Sequence, residues 1–511
     1  MLSQINTCGL MGIDGFMVEV QTDMAGGMPH LEIIGLPDAT VKESKERARA
    51  SIKNSGFVFP SKRLTINLAP ASQRKEGSSY DLPITVSVLA ASEQVRIEDN
   101  EKTVFIGELS LDGSVGAVSG VLPMVISAYK KGFTRFFVPR QNADEAAVID
   151  GVEIYPVSTL LEVIDHFSGG PRIAPYAVDL DEFLRAAAVH MPDMNEVKGQ
   201  ENVKRALEVS ASGGHNVLLI GEPGTGKSML ARRMAGILPD LTFDEALEVT
   251  KIHSIAGTLP AGVPLITTRP FRSPHHTVSS SALSGGGPTP KPGELSLAHH
   301  GILFLDELPE FKRDALEVLR QPLEDGEVTI SRVSATLTYP CNIMLIASMN
   351  PCKCGYFGSR TRECSCTPAQ VTQYRSKISG PLLDRIDIQV EVASVDYDDL
   401  SARTKGEASA EIKRRVDRAR KVQLERYAGQ KIYSNSQLTP GMLQKFCPLG
   451  EAENKLMRNA FERLDLSARA HSKILKVART IADLDGSDDI KTMHLAEAIQ
   501  YRSLDRKYFG A

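Results

Sequence analysis

Eight consecutive residues, Gly221-Glu222-Pro223-Gly224-Thr225-Gly226-Lys227-Ser228, carry the plainest chemistry in the chain. Their glycines let the backbone turn tightly, so that successive N–H groups point at one centre. An ammonium and a hydroxyl follow at once. This is equipment for nucleotide phosphates, with Lys227 as a point charge on the β- and γ-phosphates and Ser228 as a ligand of Mg²⁺. The flanks agree: an apolar run, Asn216–Ile220, precedes the loop, and a helical run, Met229–Ile237, follows it. A helix N-terminus at that point adds a favourable dipole.

A second motif lies about eighty residues on, a distance usual for a phosphate loop and its acidic partner. Ile302-Leu303-Phe304-Leu305-Asp306-Glu307 is a buried-strand pattern ending in two carboxylates. Asp306 is suited to hold Mg²⁺ through water, and Glu307 to polarise an attacking water. A third apolar run, Ile343–Ser348, leads to Met349-Asn350. A polar tip on a neighbouring strand can orient that water, so Asn350 is a sensor candidate; capping the strand is the plainer alternative.

Four of the seven cysteines crowd into one loop: Cys352-Lys353-Cys354, nine residues, then Cys364-Ser365-Cys366. Four thiolates satisfy tetrahedral Zn²⁺ and leave no position for water, which predicts structural rather than catalytic zinc; reduced free thiols are the alternative. Cys8, Cys341 and Cys447 stand alone and read as small buried residues.

The elements that must position these groups fall into three blocks. Residues 1–168 alternate strand-like runs (Thr65–Leu68, Val104–Gly107, Phe136–Pro139) with helical ones such as Val121–Tyr129, predicting an α+β domain. A Gly/Pro-rich linker occupies 169–184. Residues 185–395 hold strand–loop–helix units with strands apolar on both faces, as in a buried parallel sheet, and include the cysteine loop at 350–368. From 396 to 511 the sequence turns helical and charged, with Ile412, Val416, Ala419 and Ile474, Val477, Ala478, Ile481 at helical spacing. The fold class is therefore α/β multidomain with an all-α C-terminal part. Of 511 residues 42% are hydrophobic and 24% charged, with a net charge of −4, so no global basic field gathers nucleic acid. No basic-then-apolar leader opens the chain, and no run of about 18 apolar residues interrupts it. The reading is a cytoplasmic protein with no membrane contact.

Together with Lys198-Gly199-Gln200, Gly301–Phe311, Ser379–Asp387 and Ser467–Leu484, these motifs make the chain resemble the magnesium-chelatase-like AAA+ ATPases, in their ComM/YifB branch. The resemblance implies a P-loop AAA+ core with ATP and Mg²⁺ as cofactors. It implies Arg385 as an arginine finger reaching the γ-phosphate of an adjacent subunit, and hence a homo-hexameric ring. It implies Arg469 as a sensor-2 residue carried by a helical lid that closes on the nucleotide. The N-terminal block resembles the S5-like domain of Lon-type proteases, through Asn67–Pro70, Arg74–Pro83 and Gly107–Leu109. Ser79 aligns with the nucleophile of that Ser–Lys dyad, but Leu122 stands where its lysine belongs. Without an amine to activate it, Ser79 is an ordinary hydroxyl, and the expectation is a scaffold without peptidase activity.

Gly326–Thr338 alternates β-branched residues and predicts a hairpin ahead of the Asn350 strand. In related ring helicases a hairpin here enters the pore, which makes Arg332 the candidate cation for DNA phosphate; a hairpin making subunit contacts only is the alternative. Ser273–Gly287, containing His275 and His276, reads as a second polar pore loop with plain polar contacts rather than a metal site. The basic run Lys413–Lys421 reads as the solvated face of an amphipathic helix, because Glu411, Asp417 and Glu425 are interspersed. The leading expectation is an ATP-driven helicase or branch-migration motor on single-stranded or branched DNA, with a role in recombination or natural transformation implied by the resemblance. The alternatives are a chelatase-type ATPase that remodels a protein partner and a nucleotide-gated scaffold.

Overall fold

In the computed structural model, residues 2–180, 182–183, 191–287, 290–331, 336–359, 362–395, 406–430, 432–464 and 466–509 are described. They form two compact units: Met1–Ala188 with Phe243–Thr267, and Val189–Thr242 with Thr268–Ala511.

In the first unit, alternating residues of β1 (Leu2–Met11) and β2 (Asp14–Ala25) build one face of a four-stranded sheet with β3 (His30–Ile34) and β4 (Arg63–Ala69). Its order is β1-β2-β4-β3, antiparallel except for the parallel pair β3–β4. Helix Ala39–Asn54 starts where the Asp38 carboxylate accepts the Val41 N–H at 2.7 Å. Beyond helix Asp81–Ala91 come β5 (Thr103–Phe105), a short antiparallel pair β6 (Glu108–Leu109) and β7 (Val115–Gly116), then β8 (Arg135–Pro139) and β9 (Glu153–Val157). The strands β5-β8-β9 make a parallel sheet.

Helix Phe243–Ala256 lies by sequence within the 185–395 block, yet it folds into the first unit. Ala246, Val249 and Ile252 are buried, the Ser254 carbonyl accepts the Gly120 N–H at 3.1 Å, and the Ser254 hydroxyl donates to the Glu145 carboxylate. An apolar helical stripe specifies burial but not which core receives it.

The second unit is built on five parallel strands, of which the central three are buried along their whole length. They are β10 (Val217–Gly221), β11 (Phe271–Arg272), β14 (Ile302–Leu305), β17 (Met344–Met349) and β18 (Ile388–Val392), in the order β11-β14-β17-β10-β18. Between them lie two antiparallel pairs, β12 (Gly285–Gly286) with β13 (Lys291–Pro292), and β15 (Glu327–Ser331) with β16 (Thr336–Pro340). The second pair is the expected hairpin, with Val328 and Ile330 buried and Glu327, Thr329 and Ser331 exposed. Arg332 falls between its strands, outside the described residues.

The C-terminal part is helical: Ser409–Arg426, Pro440–Phe446, Glu451–Leu464, Ala468–Leu484 and Thr492–Gln500. The predicted stripes are the buried ones, Ile412, Val416 and Ala419 on one helix and Ile474, Val477, Ala478 and Ile481 on another. All of these except Ala419 share one continuous core with the sheet residues Val217, Leu219, Ile346 and Ile388. In the basic run of the first helix, Lys413 pairs with Asp240, Arg414 with Glu411, and Arg415 with Glu208 and Glu407. No helix among the described residues is long and apolar enough to cross a membrane.

Candidate functional site: a nucleotide site at one edge of the parallel sheet

The strand order brings the three motifs together. β10, β14 and β17 are parallel neighbours in the middle of the sheet, so the residues that leave their carboxyl ends meet along one end of it. β10 ends at Gly221, where an added Cβ would lie 2.4 Å from the Val392 carbonyl oxygen of β18, so glycine is needed for close strand approach. Gly224 and Gly226 hold φ of 80° and 87°, the left-handed conformation that glycine adopts without penalty. Helix Lys227–Arg233 starts at once and passes into a 3₁₀ turn, Met234–Ile237.

Lys227 is buried, and its Nζ donates to the Gly221 and Glu222 carbonyls, each at 2.8 Å, and to Asn350 Oδ1 at 3.1 Å. Burial pushes this ammonium below its ordinary value, while the charges of Asp306, Glu307 and Glu222 pull the other way. The Ser228 hydroxyl donates to Asp306 Oδ2 at 2.6 Å, and the Ser348 hydroxyl donates to Asp306 Oδ1. The Glu307 N–H donates to Asp306 Oδ1 at 3.0 Å, with Glu307 in a left-handed conformation, φ 54°. The structure thus assembles Lys227, Ser228, Asp306, Glu307 and Asn350 at one locus. Sequence reasoning missed Ser348, although its place at the tip of an apolar strand beside that of Asp306 was a usable signal.

Gln200, from the Lys198-Gly199-Gln200 segment, donates from Nε2 to the Thr225 carbonyl at 2.9 Å and the Ala393 carbonyl at 3.0 Å, tying the loop to the exit of β18. A cleft of about 920 Å³ opens at Gly221 and Glu222 and runs past Phe357, Val392, Tyr501 and Tyr508.

The two arginines lie elsewhere. Arg385 donates from Nε to the Arg320 carbonyl at 2.8 Å and from Nη1 to the Pro381 carbonyl at 2.7 Å, and it pairs with Glu324. None of these partners belongs to the phosphate loop. Arg469 donates to Asp384 at 3.0 Å, beside Arg385 rather than at this chain's own Lys227. The segment is anchored from below. Asp387 accepts from Lys473 at 3.0 Å and contacts His215 Nδ1 at 3.2 Å, while His215 Nε2 meets Thr480 Oγ1 at 2.8 Å. Burial alone would raise the Asp387 carboxyl, but Lys473 and His215 override it and hold the group well below the usual carboxylate range.

The Sγ atoms of Cys352, Cys354, Cys364 and Cys366 all lie within 4.8 Å of one another. Cys352–Cys354, Cys352–Cys364 and Cys354–Cys364 are separated by 3.3, 3.6 and 3.5 Å. The edge of a tetrahedron with Zn–S bonds of ~2.3 Å is ~3.8 Å, so the four sulfurs fit that ion. Gly355 within this loop abuts the phosphate loop, since a Cβ there would lie 2.6 Å from the Pro223 ring. Arg375 holds the other flank, donating to the Pro351 carbonyl at 3.0 Å and stacking on Phe357 and Tyr508 at 4.6 and 4.9 Å.

In the first unit Ser79 and Leu122 are both buried. The buried Lys75 donates its Nζ to the Gly35, Pro70 and Gln73 carbonyls.

Three family profiles match the chain: "Magnesium chelatase, subunit ChlI" over residues 193–400, "Subunit ChlI of Mg-chelatase" over 20–142 and "Magnesium chelatase, subunit ChlI C-terminal" over 406–502. Competence protein ComM of Haemophilus influenzae is 40% identical over 503 residues, covering 97% of this chain and 96% of that protein. The chain belongs to the ComM/YifB family of magnesium-chelatase-like proteins. YifB of Escherichia coli is 42% identical over 507 residues, covering 99% of this chain and 98% of its own. The magnesium-chelatase 38 kDa subunit of Rhodobacter capsulatus is 27% identical over 173 residues, which is 30% of this chain and 49% of that one. Family membership and the site at the carboxyl end of the sheet together make this a mixed α/β protein of the AAA+ ATPase type.

Proposed function

We propose that this ComM/YifB-family protein is a ring-forming ATPase, a homo-hexamer, that drives single-stranded or branched DNA through its centre. One observation carries the reading: a complete hydrolytic set at Lys227, Ser228, Asp306 and Glu307 coexists with an Arg385 held away from it by Arg320, Pro381 and Glu324. A finger that does not serve its own phosphate loop serves a neighbour's. Arg469, paired next to Arg385, is assigned to the same facing surface rather than to a lid closing on its own nucleotide.

Lys227 exchanges its carbonyl partners for the β- and γ-phosphates, which frees Asn350 Oδ1 to orient water. Glu307 accepts a proton from that water. Arg385 of the adjacent subunit neutralises charge on the transferring phosphoryl group, an effect worth ~10³–10⁵ in rate. Ser228 and Asp306, already 2.6 Å apart, are the residues to hold Mg²⁺. Mg²⁺ held there would supply neutralisation of the negative charge on the nucleotide phosphates. The four cysteines would hold structural Zn²⁺, and a metal there would fix the loop that packs on Pro223. The first unit serves as scaffold, with the Lys75 amine committed to carbonyls rather than to Ser79.

The DNA assignment rests on the β15–β16 hairpin, whose Arg332 supplies the phosphate contact, and on the name of the H. influenzae relative, a competence protein. Within the helix Ser409–Arg426, Arg414 and Arg415 are already paired with Glu411, Glu208 and Glu407 and Arg426 with Asp483, which disfavours this helix as the main contact. The test is ATP-dependent strand separation of a four-way junction with labelled arms. Separation lost on raising salt supports phosphate contacts. An ATPase that separates no junction and answers only to a protein overturns the DNA reading in favour of a protein-remodelling motor.

A further inference from the structure

Strand β17 is buried along its length and apolar at every position but one: Ser348 stands among Met344, Leu345, Ile346, Ala347 and Met349. A buried hydroxyl is costly unless its hydrogen-bonding capacity is met. Here the acidic pair that follows β14 meets it. Ser348 Oγ donates to Asp306 Oδ1 and accepts the Glu307 N–H at 3.4 Å. The strand register places it there. Leu305 is paired with Ala347, so the next residue along each parallel strand, Asp306 and Ser348, falls beside the other.

The two oxygens of Asp306 are thereby unlike. Oδ1 accepts from the Ser348 hydroxyl and from the Glu307 N–H, the latter at 3.0 Å. Oδ2 accepts from the Ser228 hydroxyl at 2.6 Å. With two donors on Oδ1, the carboxylate cannot turn without breaking both, and Oδ2 stays aimed at the phosphate loop. Without the Ser348 hydroxyl only the Glu307 N–H remains on Oδ1. That donor belongs to a left-handed residue, φ 54°, a conformation that a non-glycine residue keeps only where its surroundings hold it.

We propose that Ser348 is a positioning residue for the magnesium–nucleotide complex: it turns Asp306 so that Oδ2 faces Ser228 and the cation, and it steadies the turn that carries Glu307. This rests on the assignment of Ser228 and Asp306 to Mg²⁺ given above. Ser348 is fully buried and acts through Asp306 rather than on cation or phosphate. A hydrogen-bond partner placed behind a metal ligand sets metal affinity by roughly 10–100-fold.

The test follows binding of a fluorescent ADP analogue as free Mg²⁺ is titrated, with a parallel measurement in EDTA. The wild type is compared with Ser348→Ala, Ser348→Cys and Asp306→Asn. Ser348→Ala should raise the Mg²⁺ concentration at half effect roughly 10–100-fold and leave affinity in EDTA unchanged. Ser348→Cys, which keeps the shape with a weaker donor, should shift it less, and it decides the matter should Ser348→Ala not fold. Mn²⁺ bound in the presence of ADP, followed by electron paramagnetic resonance, should weaken in the same order. A Mg²⁺ midpoint in Ser348→Ala equal to the wild type overturns the proposal. So does a loss of affinity equally large in EDTA, which marks a general disturbance of the loop. A midpoint that moves in Asp306→Asn but not in Ser348→Ala removes Ser348 and leaves the site standing. An Asp306→Asn midpoint equal to the wild type removes the assignment of Asp306 itself.

Discussion

Gly355→Ala and Gly358→Ala form a matched pair that isolates the contact between the cysteine loop and the phosphate loop. Both glycines are left-handed, φ 90° and 78°, so both substitutions carry the same backbone cost of about 1–2 kcal/mol. They differ in what the new methyl meets. At Gly355 it would lie 2.6 Å from two atoms of the Pro223 ring, whereas at Gly358 nothing stands within 4 Å. A proline ring in a tight loop cannot swing aside as the end of a long side chain does. The overlap therefore acts as overpacking, costing about 1–3 kcal/mol. If that cost is met by displacing Pro223, nucleotide affinity falls roughly five- to hundredfold in Gly355→Ala relative to Gly358→Ala. The assay is displacement of a fluorescent ADP analogue from both variants, with zinc content measured alongside to compare the state of the cysteine loop. Equal affinities at equal zinc content would refute the argument that this loop sets the phosphate loop.

Arg385→Ala is expected to lower kcat by about 10³, and mixing it with Lys227→Ala should restore turnover above that of either alone; no recovery would place the finger in its own chain. Cys366→Ser should abolish stoichiometric zinc and lower both the thermal midpoint and ADP affinity, measured by metal analysis, calorimetry and titration. Asp387→Asn leaves the buried Lys473 without its carboxylate and should destabilise the fold by about 3–5 kcal/mol in chemical denaturation. The Asp387 carboxyl is held below its unfolded value of about 3.9, so its contribution is complete above that pH and is lost only as pH falls through the lower folded value. Asp387 itself therefore adds no pH dependence between pH 6 and pH 8, and because burial lowers the Lys473 ammonium the destabilisation by Asp387→Asn should be no greater at pH 8 than at pH 6.

What was legible in the sequence was local. The phosphate loop, the acidic pair and the Asn350 tip are contiguous motifs on apolar strands, and parallel pairing of β10, β14 and β17 brings them together. The hairpin was legible because Val328 and Ile330 alternate with polar residues. The rest depended on tertiary register. β11 has two residues, too few to show a period, so nothing forecast that it would carry His276 to Glu307. Helix Phe243–Ala256 announced an apolar stripe but not that Gly120 and Glu145 would receive it. Arg469 was read from motif context alone, and the salt bridge to Asp384 gives it a place that context did not. The cysteine spacing suggested a metal, but the packing of Gly355 on Pro223 joins residues far apart in the chain.

Under the proposed function, Glu307 activates water for an ATPase coupled to DNA. This is tested most directly by ATP hydrolysis of the purified protein with and without single-stranded and four-way-junction DNA, beside Glu307→Gln. The prediction is turnover that rises with DNA, weakens as salt is raised, and falls by about 10²–10⁴ in the variant while nucleotide still binds. Turnover that survives in Glu307→Gln would contradict the assignment of the site, and turnover indifferent to every DNA would contradict its coupling.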